Sequence, residues 1–210
     1  MTGAPVAASV YERVLGNQIE LLDPTLRRYF STPPAGEVGV GRGVYEIAGS
    51  GYRWLAPLLT WLAWRRVLFP EFGRDVPFSV VNRPTADGTL SAQRVFEFPG
   101  RARGRQRVME DTMSVVDGRL HDRLGRRRGL EVALRLEVAD GGLRMRSERL
   151  WLHLGPLRMP LPPVATVTLD ERPDPGDSGR QRVDVRITSP VLGEVFRYTG
   201  SFVYEYRVIR

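Results

Sequence analysis

Two aspartates occupy strand positions where an apolar side chain is usual. In the segment RVMEDTMSV, the alternation of side chains along a strand puts Asp111 on the same face as the two methionines. In the next such segment, Asp122 shares a face with Leu120 and Leu124. A carboxylate on an apolar face must be paired, solvated or protonated, because burying its charge alone is costly. These two positions are therefore the first candidates for chemistry.

The two carboxyl groups have two interpretations. Burial raises the pKa of a carboxyl group toward the range that suits general acid–base catalysis, and in that case Asp111 and Asp122 are catalytic. Alternatively, each aspartate pairs with an arginine, for instance Arg107 or Arg149, and its role is structural. All 31 basic residues of the chain are arginines, and this abundance favours the paired interpretation.

Two later segments offer further candidates for a binding site. In SERLWLHLG, Arg149, Trp151 and His153 share one face, and His153 is a third candidate for acid–base catalysis. The last strand carries Tyr198 and Tyr204 in an aromatic wall, and such a wall usually belongs to a core. Combined with inward carboxyl groups, these side chains are also typical of an apolar pocket with a few convergent polar groups.

An apolar segment, WLAPLLTWLAWRRVLF, spans residues 54–69. It predicts a helix that begins near Leu55, because Pro57 is tolerated only in a first turn, and that ends before Pro70. The segment is shorter than the roughly 20 residues that cross a bilayer. It also lacks the polar face of a helix that rests on a membrane, so burial in the protein core is favoured and membrane contact is the weaker alternative. Trp61 and Trp64 are then expected to line the pocket.

The remaining patterns predict how these residues are positioned. A capping box at Ser9 and Glu12 and the N-cap pair Asp23-Pro24 indicate a helical pair within residues 1–31. The glycine-rich residues 36–51 indicate a weak strand. From there the hydrophobic period is two, with hairpin signals at several Asp-Gly steps. The predicted strands span 77–83, 89–98, 106–116, 119–124, 130–139, 142–153, 164–171, 181–189 and 194–208, with residues 172–180 as a long loop.

This order of elements predicts a single α+β domain over residues 1–210. It consists of the helical pair (1–31), the apolar helix (52–69) packed on or in the sheet, and antiparallel strands (76–208). Sequential hairpins without intervening helices favour a large curved antiparallel sheet or an up-and-down barrel.

Several function classes are disfavoured. The chain has no cysteine, and its two histidines lack the spacing of metal ligands, so we expect no metal. The glycine-rich segment lacks a dinucleotide fingerprint, and we expect no cofactor. The basic segments 101–107 and 123–128 are interpreted as a solvated rim, with an anion site as the alternative and no nucleic-acid partner, although the net charge is +7. The opening residues lack the pattern of a secretory signal, so we expect a cytoplasmic protein.

The order and spacing of several segments resemble a known family. VYERVLGNQIELLDPTLRRYF, GRDVPFSV, FEFPGRARG, DGRLHDRLG, LRLEVADGGLRMRSERLWLHLGPLRMPLP and VLGEVFRYTG are similar to the domain of unknown function 4166 family. The resemblance covers nearly the whole chain. It implies a mostly β domain without an established activity, which often stands alone or follows a reductase-like domain in a longer actinobacterial protein.

The favoured function is the binding of a hydrophobic or amphipathic small molecule in a cavity of the sheet or barrel. Trp61, Trp64, Arg149, Trp151, Tyr198 and Tyr204 are the predicted ligand-binding residues. The alternative is a cyclase or isomerase that acts on a polyketide- or terpenoid-like substrate in the same cavity through Asp111, Asp122 or His153. A further alternative is a non-catalytic partner domain for a reductase.

Overall fold

The structure is a computed structural model that describes residues 8–99 and 105–208. Its α-helices are α1 (Val10–Leu15), α2 (Pro24–Phe30) and α3 (Ala56–Trp64), with 3-10 turns at Gly16–Leu21 and Arg53–Leu55. Its strands are β1 (Glu37–Gly49), β2 (Phe72–Pro84), β3 (Leu90–Phe98), β4 (Arg105–Val116), β5 (Arg119–Leu124), β6 (Leu130–Ala139), β7 (Gly142–Leu154), β8 (Leu157–Leu161), β9 (Thr166–Asp174), β10 (Asp177–Ser189) and β11 (Gly193–Val208). Residues 1–7 of the predicted helical pair and 101–104 of the first basic segment lie outside the described residues.

Ten of these strands close into an antiparallel barrel. Each strand from β1 to β7 pairs with the next one, β7 then pairs with β9, and the sequence of pairs continues through β10 to β11. Pairing of β1 with β11 closes the ring. The extra strand β8 pairs with the C-terminal part of β7. Closure leaves the barrel wall without an unpaired edge, which is the advantage that favours a barrel over an open sheet. The predicted α+β fold with a barrel is confirmed.

Two Asp-Gly steps form the predicted tight hairpins. Asp117 and Gly118, between β4 and β5, both have positive φ, and so do Asp140 and Gly141, between β6 and β7. Two consecutive residues with positive φ are the requirement of the type I′ turn, whose twist matches the twist of paired strands.

The structure differs from the sequence prediction at four strands. The glycine-rich segment is not a weak strand but the long β1, which pairs with β2 on one side and with the last strand, β11, on the other. A side chain at Gly39 would collide with the Tyr204 hydroxyl, so this glycine makes room for an aromatic ring inside the barrel. Residues 172–180 extend β9 and β10 instead of forming a long loop, and β8 was not predicted.

The helical pair closes one end of the barrel. The Ser9 and Glu12 capping box starts α1, and the Asp23 side chain caps α2 by accepting from the Thr25 amide at 2.8 Å. The buried faces of both helices point into the barrel, where the ring of Tyr29 lies 4.6 Å from that of Tyr204. Both predicted helices of the pair are thus present at this end.

The other end of the barrel is closed by α3 and the residues that follow it. The helix packs on the barrel as expected, but through one face only, because Leu59 is its one buried residue. The helix ends at Trp64, and the chain then turns inward at Arg66, which has positive φ. Val67 and Phe69 are buried beyond this turn. A helix of little more than two turns on the rim can bury only one face, so its tryptophans remain outside.

Within the described ranges, no helix has both the length and the apolar character needed to cross a lipid bilayer.

We expect Phe69→Ala to destabilise the protein by about 3–5 kcal/mol, the usual cost of removing a buried aromatic side chain. The Phe69 ring is 1% exposed and packs against Phe96, Phe98 and Phe196. Trp61→Ala should change the free energy of unfolding by less than about 1 kcal/mol, because Trp61 is 51% exposed. Denaturant unfolding followed by circular dichroism measures both values. A Trp61 variant as unstable as the Phe69 variant would contradict the position of α3 on the rim.

Candidate ligand-binding cavity

A cavity of about 90 Å³ lies inside the barrel between the two closed ends. Its lining is mostly apolar, but four ionisable side chains face it from neighbouring parts of the wall: Arg94 on β3, Asp111 on β4, Asp122 on β5 and Glu171 on β9. Each of them occupies an inward position in a strand whose other inward residues are apolar. The interior of the barrel therefore contains a polar cluster, which we call the inner cluster.

Arg94 and Asp111 form a buried ion pair. The guanidinium donates to Asp111 Oδ2, and the two side chains are 12% and 5% exposed. Burial opposes the charge of Arg94, but Asp111 and nearby tyrosines outweigh this effect and raise the pKa of Arg94 above its usual value. Asp111 Oδ1 has no hydrogen-bond partner among the described residues. The paired interpretation of Asp111 thus agrees with the structure, although the partner is Arg94 and not Arg107 or Arg149.

Asp122 lies beside this pair without an arginine of its own. Burial raises the pKa of Asp122 well above its usual value, and the neighbouring Asp111 charge raises it further, while Arg94 lowers it. Its Oδ1 atom is buried and has no hydrogen-bond partner in the described part of the chain. Burial therefore favours the protonated form of Asp122, which can donate as well as accept a hydrogen bond.

Glu171 is the third carboxyl group of the inner cluster. Burial raises the pKa of Glu171 to about 8, although Arg94 and a hydrogen bond from Gln181 lower it. Gln181 Nε2 donates to Glu171 Oε2 at 2.7 Å. Among the described residues that line the cavity, three carboxyl groups thus lie near one guanidinium, which is bonded to Asp111, and burial raises the pKa of the other two.

A second pocket of about 260 Å³ lies outside the helical pair, between these helices and the turn that joins β2 to β3. Tyr11 and Tyr29 line both this outer pocket and the inner cavity, so their side chains separate the two spaces. Asn82 and Tyr204 also line the outer pocket, and Asn82 Nδ2 donates to the Tyr204 hydroxyl at 3.3 Å. Asn82 is 4% exposed, and its Oδ1 atom has no partner among the described residues.

His153 belongs to a different cluster, on the outer face of the barrel. Its Nε2 atom lies 2.5 Å from Glu131 Oε2, and His121 Nδ1 lies 2.7 Å from Glu131 Oε1. Burial opposes the Glu131 charge, but hydrogen bonds from Arg158, His121 and His153 prevail and lower the pKa of Glu131 to about 2. Since these residues come from β5, β6, β7 and β8, the cluster holds β8 against the barrel wall.

The structure separates the residues that the sequence placed in one pocket. Asp111, Asp122 and Tyr198 line the inner cavity, and Tyr204 lines the outer pocket. The other predicted positions are corrected: Trp61 and Trp64 are exposed on α3, whereas Arg149, Trp151 and His153 lie on the outer face of β7. In this part of β7 the leucines, such as Leu150 opposite Val132 of β6, face the apolar interior of the barrel. Because side chains alternate between the two faces of a strand, the residues between the leucines face outward.

Sequence reasoning missed Arg94, Glu171, Tyr11 and Tyr29. A signal for the first two was present: in β3, Arg94 alternates with Ala92 and Phe96 in the same way that Asp111 alternates with methionines. The two tyrosines lie on short helices, and nothing in their spacing indicates that they would face the barrel interior.

The inner cluster can offer hydrogen bonds of both kinds to a polar group in the cavity. Protonated Asp122 and Glu171 can donate, and the free oxygens of Asp111 and Asp122 can accept. Within residues 8–99 and 105–208, no group of three or more histidine, aspartate or glutamate side chains is arranged to hold a metal ion.

The fold and cavity define a class of protein: a closed ten-stranded antiparallel barrel with a polar cluster in a small apolar cavity. The chain belongs to the Domain of unknown function (DUF4166) family, whose model matches residues 22–202, and the resemblance seen in the sequence is thereby confirmed. It is 28% identical, over 210 aligned residues, to the "Uncharacterized protein YndH" of Bacillus subtilis (strain 168), covering 95% of this chain and 98% of that protein. No solved structure matches the chain.

We expect Asp111→Asn to destabilise the protein by about 3–5 kcal/mol at neutral pH, because it leaves the buried Arg94 charge without its partner. Asp122→Asn should cost less than about 1 kcal/mol, because it replaces a neutral acid with a neutral amide of similar shape. Denaturant unfolding of both variants measures the difference. Equal destabilisation by the two changes would contradict the assignment of charge within the inner cluster.

Glu171 should make the stability depend on pH. Its pKa of about 8 in the folded protein exceeds the value of about 4.3 in an unfolded chain, so its contribution is complete below about pH 4 and is lost as the pH rises through 8. Relative to Glu171→Gln, wild type should lose about 1.4 kcal/mol per pH unit within this interval. Thermal or denaturant unfolding at several pH values measures this slope, and a stability difference that does not vary with pH would show that Glu171 is not protonated in the fold.

Proposed function

We propose that the protein binds a small amphipathic molecule, with the polar group of the ligand at the inner cluster and its apolar part between the strands and the helical pair. The observation that carries the proposal is a polar cluster in an otherwise apolar cavity, with acceptor oxygens of Asp111 and Asp122 that lack partners. Few convergent polar groups in an apolar cavity are typical of small-molecule sites.

The chemistry of the inner cluster restricts the polar group of the ligand. Because three carboxyl groups face one guanidinium, a ligand that donates hydrogen bonds, such as an alcohol or an amine, fits better than a carboxylate. A ligand carboxylate would meet the charge of Asp111 and compete with it for Arg94. An ammonium group would instead favour ionisation of Asp122 and Glu171.

The size of the cavity restricts how such a ligand fits. A cavity of about 90 Å³ is smaller than the roughly 150 Å³ that accommodates benzene. If Tyr11 and Tyr29 move aside, the inner cavity joins the outer pocket of about 260 Å³, and the two volumes together reach the lower end of the roughly 300–1,000 Å³ typical of ligand pockets. An elongated ligand would then pass between the tyrosines, with Asn82 Oδ1 available along its path.

A second candidate function is acid–base catalysis on the same ligand, as in a cyclase or isomerase of polyketide- or terpenoid-like substrates. The observation in its favour is the pKa of Glu171, which lies at about 8 in a cavity and therefore suits proton transfer near neutral pH. In this candidate Asp122 and Glu171 exchange protons with the substrate, Asp111 keeps Arg94 in place, and His153 has no role. A non-catalytic role beside a reductase, and a cytoplasmic location, stay predictions from the sequence.

Three probes with one alkyl chain and different head groups test the binding proposal: decanol, decylamine and decanoate. We expect decanol and decylamine to bind and to raise the melting temperature of the protein, and decanoate to bind more weakly. Asp122→Leu should weaken binding of decanol and decylamine, because it removes a donor and an acceptor from the cavity. Isothermal titration calorimetry with the full chain measures all three affinities.

The matched control is Leu21→Ser, which changes an exposed side chain away from the cavity and should leave the three affinities unchanged. Failure of all three probes to bind, or equal binding to wild type and Asp122→Leu, would overturn the proposal.

A further inference from the structure

The exposed side of α3 carries an apolar ridge that the fold does not use. Trp54, Leu58, Trp61 and Trp64 are 60%, 53%, 51% and 61% exposed, and they include three of the four tryptophans in the chain. Successive spacings of three residues place Leu58, Trp61 and Trp64 on one side of the helix. We call these four residues the tryptophan ridge. Contiguous exposed apolar groups of this kind mark interaction surfaces.

Positive charge adjoins the tryptophan ridge at Arg65 and Arg127, for which the described residues show no ion pair, whereas the neighbouring Arg66 is paired with Glu110. The Arg65 guanidinium lies 5.5 Å from the ring centre of Trp61 and 5.9 Å from that of Trp64, and Arg127 lies 5.4 Å from Trp64. Arg127 belongs to the turn 125–129, GRRRG, between β5 and β6, whose three arginines are exposed. Neither this turn nor residues 47–70 contain an aspartate or glutamate. The ridge and the turn therefore form one apolar and basic surface.

Other exposed apolar side chains lie at the same end of the barrel. Phe72 starts β2, opposite the end of β1, and Val191 lies in the turn between β10 and β11; they are 54% and 88% exposed. Leu154 and Leu157 flank the turn between β7 and β8 and are also exposed. The apolar character thus extends around this rim.

We propose that the α3 end of the barrel docks onto an anionic membrane surface, with the tryptophan ridge in the headgroup layer and Arg65 and Arg127 against lipid phosphates. Tryptophan favours the membrane interface because its ring is apolar and its N–H can bond to water or headgroups. Arginines beside it are attracted to anionic lipids. The charge of the surface disfavours a second copy of the chain as the occupant, because two such surfaces would repel each other.

The structure also removes the sequence-based objection to membrane contact. An isolated helix that rests on a membrane needs a polar face for water, and this segment has none. In the folded protein the other face of α3 packs on the barrel through Leu59, with Leu55 and Leu62 against the same core. The barrel takes the place of water on that face, so the absence of a polar face no longer excludes docking.

Docking would place the inner cavity close to the membrane. Val67 and Leu68, which line the cavity, follow α3 directly. The docking proposal is independent of the proposed ligand, because it rests on the outer surface of α3 and not on the inner cluster.

The test is co-flotation of the full chain with vesicles of two compositions: phosphatidylcholine alone and phosphatidylcholine mixed with phosphatidylglycerol. We expect wild type to bind the anionic vesicles, with a blue shift of tryptophan fluorescence, and to bind pure phosphatidylcholine weakly. The double variant Trp61→Ser, Trp64→Ser should bind roughly tenfold or more weakly, since binding scales with the apolar area that is inserted. Arg126→Gln, Arg127→Gln should weaken binding to anionic vesicles and reduce its sensitivity to salt.

Two controls make the outcome decisive. Leu21→Ser and Val116→Ser remove exposed apolar side chains at the other end of the barrel and should leave vesicle binding unchanged. Circular dichroism should show that the tryptophan variant is folded, and Asp122→Leu should bind vesicles like wild type, so that this test does not depend on the ligand proposal.

Absence of wild-type binding to anionic vesicles at low salt would overturn the docking proposal, and so would equal binding by wild type and the tryptophan variant. Binding to soluble polyglutamate but not to vesicles would overturn it in favour of an acidic protein partner. Self-association in analytical ultracentrifugation that Trp61→Ser, Trp64→Ser abolishes, without vesicle binding, would assign the ridge to a contact between copies.

Discussion

The ion pair between Arg94 and Asp111 governs the electrostatics of the barrel interior. Because the guanidinium is already paired, its charge compensates only part of the repulsion among the three carboxyl groups that face it. Burial then raises the pKa of Asp122 and Glu171 and favours their protonated forms. Ionising Asp122 and Glu171 beside Asp111 would add like charges in a buried space, so the same burial that shapes the candidate site also opposes their ionisation.

The two ends of the barrel are closed in different ways, and the difference separates two candidate activities. At one end, capped helices insert Tyr11 and Tyr29 between the inner cavity and the outer pocket. At the other end, the residues after α3 enter the barrel and leave the helix itself on the rim. The first end therefore separates the inner cluster from the outer pocket, whereas the second presents tryptophan and arginine to the outside. The cluster around Glu131 lies on the outer face, away from both ends of the barrel cavity. Its hydrogen bonds join β8 to the barrel wall.

Local patterns predicted much of the fold. The capping residues at Ser9 and Asp23, the turn at Asp117-Gly118 and the alternation that turns Asp111 and Asp122 inward all depend on neighbours within a few positions of the chain. The identity of the Asp111 partner was not predicted, because it depends on which strands lie side by side. The same alternation, applied to β3 and β9, would have placed Arg94 and Glu171 inside.

For β7 the alternation correctly grouped Trp151 with His153 on one face. Whether that face points inward or outward depends on competition with the leucines of the other face for the core. The exposure of α3 depends on how the helix packs on the end of the complete barrel, and no local sequence pattern predicts that packing.

The central claim is that the cavity contains two carboxyl groups whose pKa burial raises, next to one buried ion pair. Carbon-13 NMR of the side-chain carboxyl groups across a pH titration measures this claim directly, residue by residue. The account predicts that the Glu171 carboxyl titrates near pH 8 and that Asp122 titrates well above the ordinary range for aspartate. Titration of both groups near pH 4, close to the usual values of about 3.9 and 4.3, would contradict it.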